Sequence, residues 1–242
     1  MTHADQNELA RAAAIDFARR LVSQWQKALG NELLGAYMIG SVAHAGFSRR
    51  YSDVDIALIT VSGLSPKECD RIRSEAVALS ADWGSKVSLF WADSDFSNGR
   101  FPPLDRIDYL DHAIVLMERE CVRPARPGRS EIRQYLRGEP FSTWADQARS
   151  FATAHKLEPR DHKAFVRTLL YPARFGYSWM TGRIGSNDDA VAFMSETPPV
   201  RLKMDLIIGA LECRQNAGDP DALFSARTAL PSQIRACALL MT

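Results

Sequence analysis

Apolar residues recur at helical spacing near the start of the chain. Leu9, Ala13, Phe17, Leu21 and Trp25 lie four apart, with Ile15 and Val22 beside them, which predicts an amphipathic helix over residues 7–29 that stops at Gly30. An apolar, strand-like run then ends in Gly40-Ser41. Eleven residues follow, and a second, β-branched run opens with Asp53-Val54-Asp55 and continues to Thr60. Residues 66–81 read as a helix, with Ser65 as its cap and Pro66 in the first helical position. Lys86 to Trp91 is short and apolar enough to be a third core strand. Residues 96–103 read as a loop. The apolar block Ala113 to Met117, with Glu118-Arg119-Glu120 behind it, fits either a strand feeding a helix or a single helix.

Pro124-Ala125-Arg126-Pro127-Gly128 is a break, and everything after it has helical character. Helices are expected from Arg129 with Ser130 as a cap, over 141–155, 161–180, 187–194 and 199–213, and once or twice over 219–242. Pro172 falls inside the long helix; an interior proline costs ~3 kcal/mol, so a kink or break is expected there. The expectation is an α+β chain: a mixed sheet flanked by helices over residues 1–125, then an all-helical bundle over 126–242.

Composition changes this picture little. With 242 residues, 46% of them apolar and 24% charged, the chain can build a sizeable core in one large or two small domains. Thirty basic and 29 acidic side chains leave a formal charge of +1, which argues against long nucleic acid as a partner. The four cysteines, Cys69, Cys121, Cys213 and Cys237, are scattered with no zinc-like pairing, and the opening residues lack the basic start and apolar core of a secretory segment. No apolar run approaches the ~20 residues of a membrane span. A cytoplasmic protein with reduced thiols is expected.

The chemistry concentrates around the two strand-like runs. Successive strand residues point to opposite faces, so Asp53 and Asp55 share one side of the sheet while Val54 and Ile56 enter the other. Two carboxylates on one side are preset for one divalent cation, and Mg²⁺ is commonly held by one or two carboxylates together with substrate phosphates. Gly40 allows backbone to approach a ligand closely, and the N–H groups of a tight Gly40-Ser41 turn can cradle phosphate oxygens. Ser41 to Ala45 can start a short helix behind them. Arg49 and Arg50 precede the acid pair, where they could touch triphosphate oxygens or be solvent-exposed, the latter being favoured, and His44 is taken as structural and left outside the site.

An apolar strand, Gly-Ser, about ten residues and Asp-x-Asp in the next strand together resemble the signature of the polymerase-β-like nucleotidyltransferase superfamily. The resemblance implies a third carboxylate on the third core strand, facing the pair. The position expected by pattern is Ser88, which can neither act unaided as a base near neutral pH nor replace a negative charge beside Mg²⁺. Asp93 and Asp95 lie ~15–20 Å of extended chain further on. Residues 168–194, TLLYPARFGYSWMTGRIGSNDDAVAFM, are similar to the C-terminal helical domain of the streptomycin/spectinomycin adenylyltransferases, and residues 111–128 resemble, less specifically, the end of that family's first domain. Carried over by position, Arg174 matches a helix arginine that approaches ATP phosphates. Asn187 stands where that family has a phosphate-binding lysine, with Arg183 the nearest cation, and an acceptor-binding acid falls near Asp161. The resemblance implies Mg²⁺-dependent transfer of AMP from ATP to a hydroxyl of a small molecule of the aminoglycoside type. Ser88 keeps open an alternative, a nucleotide-binding regulatory or antitoxin-like member with weak or lost catalysis.

Overall fold

The computed structural model describes residues 3–44 and 46–242. Helix α1 (His3–Leu29) buries Ala14, Phe17, Ala18, Leu21 and Trp25, a stripe at intervals of three and four that turns one face to the sheet. Gly30 takes φ +54°, a left-handed conformation that costs glycine little, and the chain reverses there into the first strand. The strands are β1 (Leu33–Ile39), β2 (Val54–Thr60), β3 (Val87–Ala92), β4 (Gly99–Arg100) and β5 (Ile114–Glu118). Their order is β4-β3-β2-β1-β5. Among the described residues only β2 and β3 pair in parallel, which requires a crossover. Helix α2 (Pro66–Leu79) supplies it, followed by the single turn α3 (Ala81–Gly84). The predicted start of α2 holds: Ser65 and Glu68 form a reciprocal capping box and Pro66 opens the helix.

The sheet separates two apolar layers. Val54, Ile56 and Leu58 of β2 join Met38 and Leu89 against α1 and α2, whereas Ala57 and Ile59 join Tyr37, Ile39 and Ala92 on the opposite face. Helix α4 (Pro103–His112) covers that second face through Tyr109, whose ring meets Tyr37 edge-on at 4.8 Å. Residues 103–118 therefore run helix then strand, neither of the two arrangements expected from sequence. Pro103 opens the helix, Ala113 leaves it with extended backbone, and the apolar block pairs along β1 as an edge strand. Burial pushes the Tyr37 hydroxyl well above the usual phenol range, helped by its contacts to Tyr109 and Glu118; its O–H donates to the Glu118 carboxylate at 2.8 Å.

The described chain divides into two compact units, Met1–Pro127 and Gly128–Thr242. The second is wholly helical: α5 (Arg129–Arg137), α6 (Glu139–Thr153), α7 (His162–Thr181), α8 (Asn187–Glu196), α9 (Met204–Arg214), α10 (Pro220–Phe224) and α11 (Leu230–Leu240). Gly128, not Ser130, occupies the position before α5, so no side chain caps it. Helix α7 runs unbroken through Pro172, so of the kink or break expected there the break does not occur. Proline has no N–H to give the carbonyl four residues earlier, and that carbonyl, of Thr168, instead accepts the buried indole N–H of Trp144 at 2.8 Å. The architecture is α+β, a mixed five-stranded open sheet with a helical C-terminal region.

Candidate functional site

Strand β1 ends at Ile39, which pairs across the sheet with Asp55, so Gly40 leaves the strand beside that carboxylate. Gly40 has φ +70°, and a Cβ built on it would overlap the Asp55 carboxylate. Both conditions require glycine here. The chain turns at once through a 3₁₀ turn, Gly40–Val42, with the N–H groups of Ala43 and His44 donating to the Gly40 carbonyl at 2.9 and 3.2 Å. The short helix expected to run on from Ser41 extends to Ala45, which lies outside the described residues. The Ser41 hydroxyl donates to Ser52 Oγ at 2.9 Å, and Ser52 Oγ also accepts the Ser48 N–H at 2.9 Å. Ser41 thus braces the two ends of the loop that carries the motif.

Asp53 and Asp55 are half-buried and flank the fully buried Val54. The alternation of β2 puts Asp55 in phase with Ala57 and Ile59, the face covered by α4, and Val54 with the opposite core. Ser88 is the parallel-strand partner of Asp55. The sequence register is therefore the structural one: the neighbour of Asp55 on β3 is a half-buried serine, and β3 brings no carboxylate there. Asp93 and Asp95 are engaged in their own turn. Asp93 accepts from the Ser97 hydroxyl at 2.9 Å and the Asn98 N–H at 3.1 Å, and Asp95 accepts from the Ser97 N–H at 3.0 Å. Hydrogen bonds from Ser97 hold the Asp95 carboxyl below its usual range.

Among the described residues no group of three or more His, Cys, Asp or Glu side chains is arranged to hold a metal ion. Asp53 and Asp55, two residues apart at the start of β2, are carboxylates of the kind Mg²⁺ uses when phosphates and water complete its octahedron. Asp53 and Asp55 fit that role as part of a metal–nucleotide complex rather than as a free-standing ion cage.

Other candidates fall elsewhere. Arg49 pairs with Asp82 at 2.9 Å and lies 5.2 Å from the Trp83 ring centre, while Lys86 donates to the Arg49 carbonyl at 3.0 Å; Arg50 lies 5.3 Å from the Tyr51 ring. Arg174 and Arg183 belong to the second unit. Arg174 is half-buried on α7, 5.5 Å from the Tyr171 ring, and Arg183 is exposed in the turn after that helix, where its N–H donates to Thr181 Oγ1 at 3.1 Å. Asn187 is the first residue of α8, whose cap is Ser186 with Asp189. Asp161 closes a 3₁₀ turn before α7.

Sequence reasoning missed Asp108. It is 1% exposed on the last turn of α4 and accepts the Gly40 N–H at 2.5 Å. Its other oxygen lies 3.7 Å from His44 Nε2, and the His44 ring in turn meets His112 edge-on at 5.4 Å. His44, set aside from sequence, therefore lies beside the motif. The only local hint was a carboxylate between two core positions, Ile107 and Tyr109, and a contact spanning 68 residues has no periodic signature.

No protein-family model matches the chain, and comparison with curated proteins finds no match. Among solved structures, a spectinomycin adenyltransferase from Enterococcus faecialis, determined with ATP and spectinomycin, is similar with a TM-score of 0.64 over 93% of this chain and 99% of that one, at 14% identity. At that identity the likeness concerns fold. The chain has a nucleotidyltransferase-like fold with a helical C-terminal region, and among the described residues no helix is long and apolar enough to cross a membrane.

Proposed function

We propose that the protein is a nucleotidyltransferase that transfers AMP from ATP to a hydroxyl of a small molecule, with an aminoglycoside-type compound as the acceptor class. The observation that carries this reading is the seating of the Asp55 carboxylate against Gly40, with half-buried Asp53 two residues earlier, just ahead of β2. Residues 1–125 would handle the nucleotide and metal, and residues 126–242 would form the helical partner domain. The protein that shares the fold was solved with ATP and spectinomycin, and this supports ATP as donor and a small polar acceptor. An ATP donor also suits the expected cytoplasmic setting.

In this reading Asp53 and Asp55 hold a Mg²⁺ ion, which when bound neutralises phosphate charge. The Gly40-Ser41 turn lets the triphosphate approach the backbone closely. The acceptor hydroxyl oxygen forms a bond to the α-phosphorus in line as the bond from that phosphorus to the oxygen bridging to the β-phosphate breaks; pyrophosphate departs with that oxygen, and the hydroxyl proton is released to water. Arg174 and Arg183 are proposed to donate charge-assisted hydrogen bonds to phosphate oxygens. Substituting Arg174→Ala is expected to raise KM for ATP about tenfold with a smaller change in kcat.

Ser88 beside Asp55 favours a second reading, a nucleotide-binding regulatory protein without turnover. Pyrophosphate release from Mg-ATP across a panel of aminoglycosides separates the two. Release with any acceptor supports transfer. Mg-ATP binding with no release from any acceptor supports the regulatory reading, and no Mg-ATP binding removes both.

A further inference from the structure

The amide that a Gly-Ser turn would first offer to a phosphate is already taken. Gly40 N–H donates to Asp108 Oδ2 at 2.5 Å, and the Asp108 side chain is 2% exposed. The other oxygen faces His44, four residues further along the same loop. One carboxylate on α4 therefore touches the loop at both its entry and its first turn. The Asp55 carboxylate also lies against Gly40, close enough to exclude a Cβ. Glycine 40 is thus met by two acidic side chains delivered by different elements, one a candidate metal ligand and the other buried and committed to the backbone. Helix α4 is itself fixed to the sheet by Tyr109, which packs on Tyr37 and donates its hydroxyl to the Val122 carbonyl at 2.6 Å.

We propose that Asp108 is the positioning residue of this site: its hydrogen bond to the Gly40 amide sets the Gly40-Ser41 turn, and through it the seat of the Asp55 carboxylate that receives the metal–nucleotide complex. This rests on the nucleotide reading above for its functional consequence, though not for its structural one. It makes α4 the source of the site's third acidic group. That group orients the backbone and contributes no metal ligand, in keeping with the absence of a three-carboxylate cluster among the described residues. It also shifts the phosphate-binding role from the Gly40 amide to groups further along the turn.

Two variants and two readouts test the assignment. Asp108→Asn keeps an oxygen that can accept the Gly40 N–H but removes the charge, and Asp108→Ala removes both. Amide hydrogen exchange, measured without any ligand, is expected to show Gly40 protected in the unsubstituted protein and in Asp108→Asn and exposed in Asp108→Ala. Mg-ATP calorimetry is expected to give a Kd within about threefold of the unsubstituted protein for Asp108→Asn. For Asp108→Ala it is expected to be about tenfold weaker or more, the scale of losing one hydrogen bond to a charged group. Ile72→Val, in the core on the opposite face of the sheet, serves as the control that lowers Tm without moving Kd.

Unprotected Gly40 in the unsubstituted protein, or equal protection in all three forms, overturns the proposal. So does tighter Mg-ATP binding by either Asp108 variant, which would make Asp108 a competitor of phosphate. Equal loss in Asn and Ala variants would make the charge itself the working part and also overturns it. Failure of the unsubstituted protein to bind Mg-ATP would contradict the nucleotide reading alone, and the exchange measurement would still decide the role of Asp108.

Discussion

At Gly40, one side chain's absence holds the site together. Gly40→Ala would place a Cβ in the Asp55 carboxylate and force an L residue to φ +70°. A loss of about 1–3 kcal/mol in unfolding free energy is expected from the backbone strain alone, together with loss of Mg-ATP binding. Denaturant titration and calorimetry check the two effects separately. Ser88 poses the opposite experiment. Ser88→Asp sets a like charge beside Asp55 in the parallel pair, so Tm should fall in the presence of a chelator and recover with millimolar Mg²⁺; a Tm indifferent to Mg²⁺ would contradict a cation at Asp53 and Asp55. The face taken by Asp55 and the serine opposite it were both legible from alternation, because a two-residue period fixes which face each strand residue takes; Asp53 precedes the strand, which opens at Val54. Asp108 and His44 were not, because they meet across 64 positions of chain through the docking of a helix on a sheet.

Helices are decided by both local and distant partners here. The start of α2 was readable because Ser65, Pro66 and Glu68 satisfy its first amides within four residues. Hydrogen bonds from the Ser65 hydroxyl and N–H hold the Glu68 carboxyl below its usual range. A carboxylate depressed in the folded state stabilises above its unfolded pKa, and that contribution is lost as pH falls through the folded value. Ser65→Ala should therefore cost about 1 kcal/mol at neutral pH, and the gap to the unsubstituted protein should narrow below about pH 4; urea titrations at several pH values read it directly. The continuity of α7 through Pro172 was not readable, since the compensating donor is Trp144 of another helix. Trp144→Phe should cost about 1–3 kcal/mol by leaving the buried Thr168 carbonyl unsatisfied. In a Pro172→Ala background, where residue 172 regains an N–H, the same change should cost less, and a double-mutant cycle measures the difference. The apolar block around Ala113 to Met117 is a strand, one of its two expected forms, but its helix precedes it; five apolar residues fit a strand or a helix segment equally, and pairing with β1 decides.

For the whole chain, the α+β class and the five core elements that carry the motif followed from hydrophobic period. The described chain divides into the compact units Met1–Pro127 and Gly128–Thr242. The likeness to a spectinomycin adenyltransferase spans nearly the full length of both chains at 14% identity, a likeness of fold. What the sequence could not supply is the route by which a third acid reaches the motif, because that depends on tertiary packing of α4. The central claim is that Asp53 and Asp55 form a metal–nucleotide site on the Gly40-Ser41 turn. Calorimetric titration of Mg-ATP into the unsubstituted protein and into Asp53→Asn tests it most directly. The account predicts saturable 1:1 binding that requires Mg²⁺ and weakens at least tenfold in Asp53→Asn; equal binding by the two proteins, or binding indifferent to Mg²⁺, would contradict it.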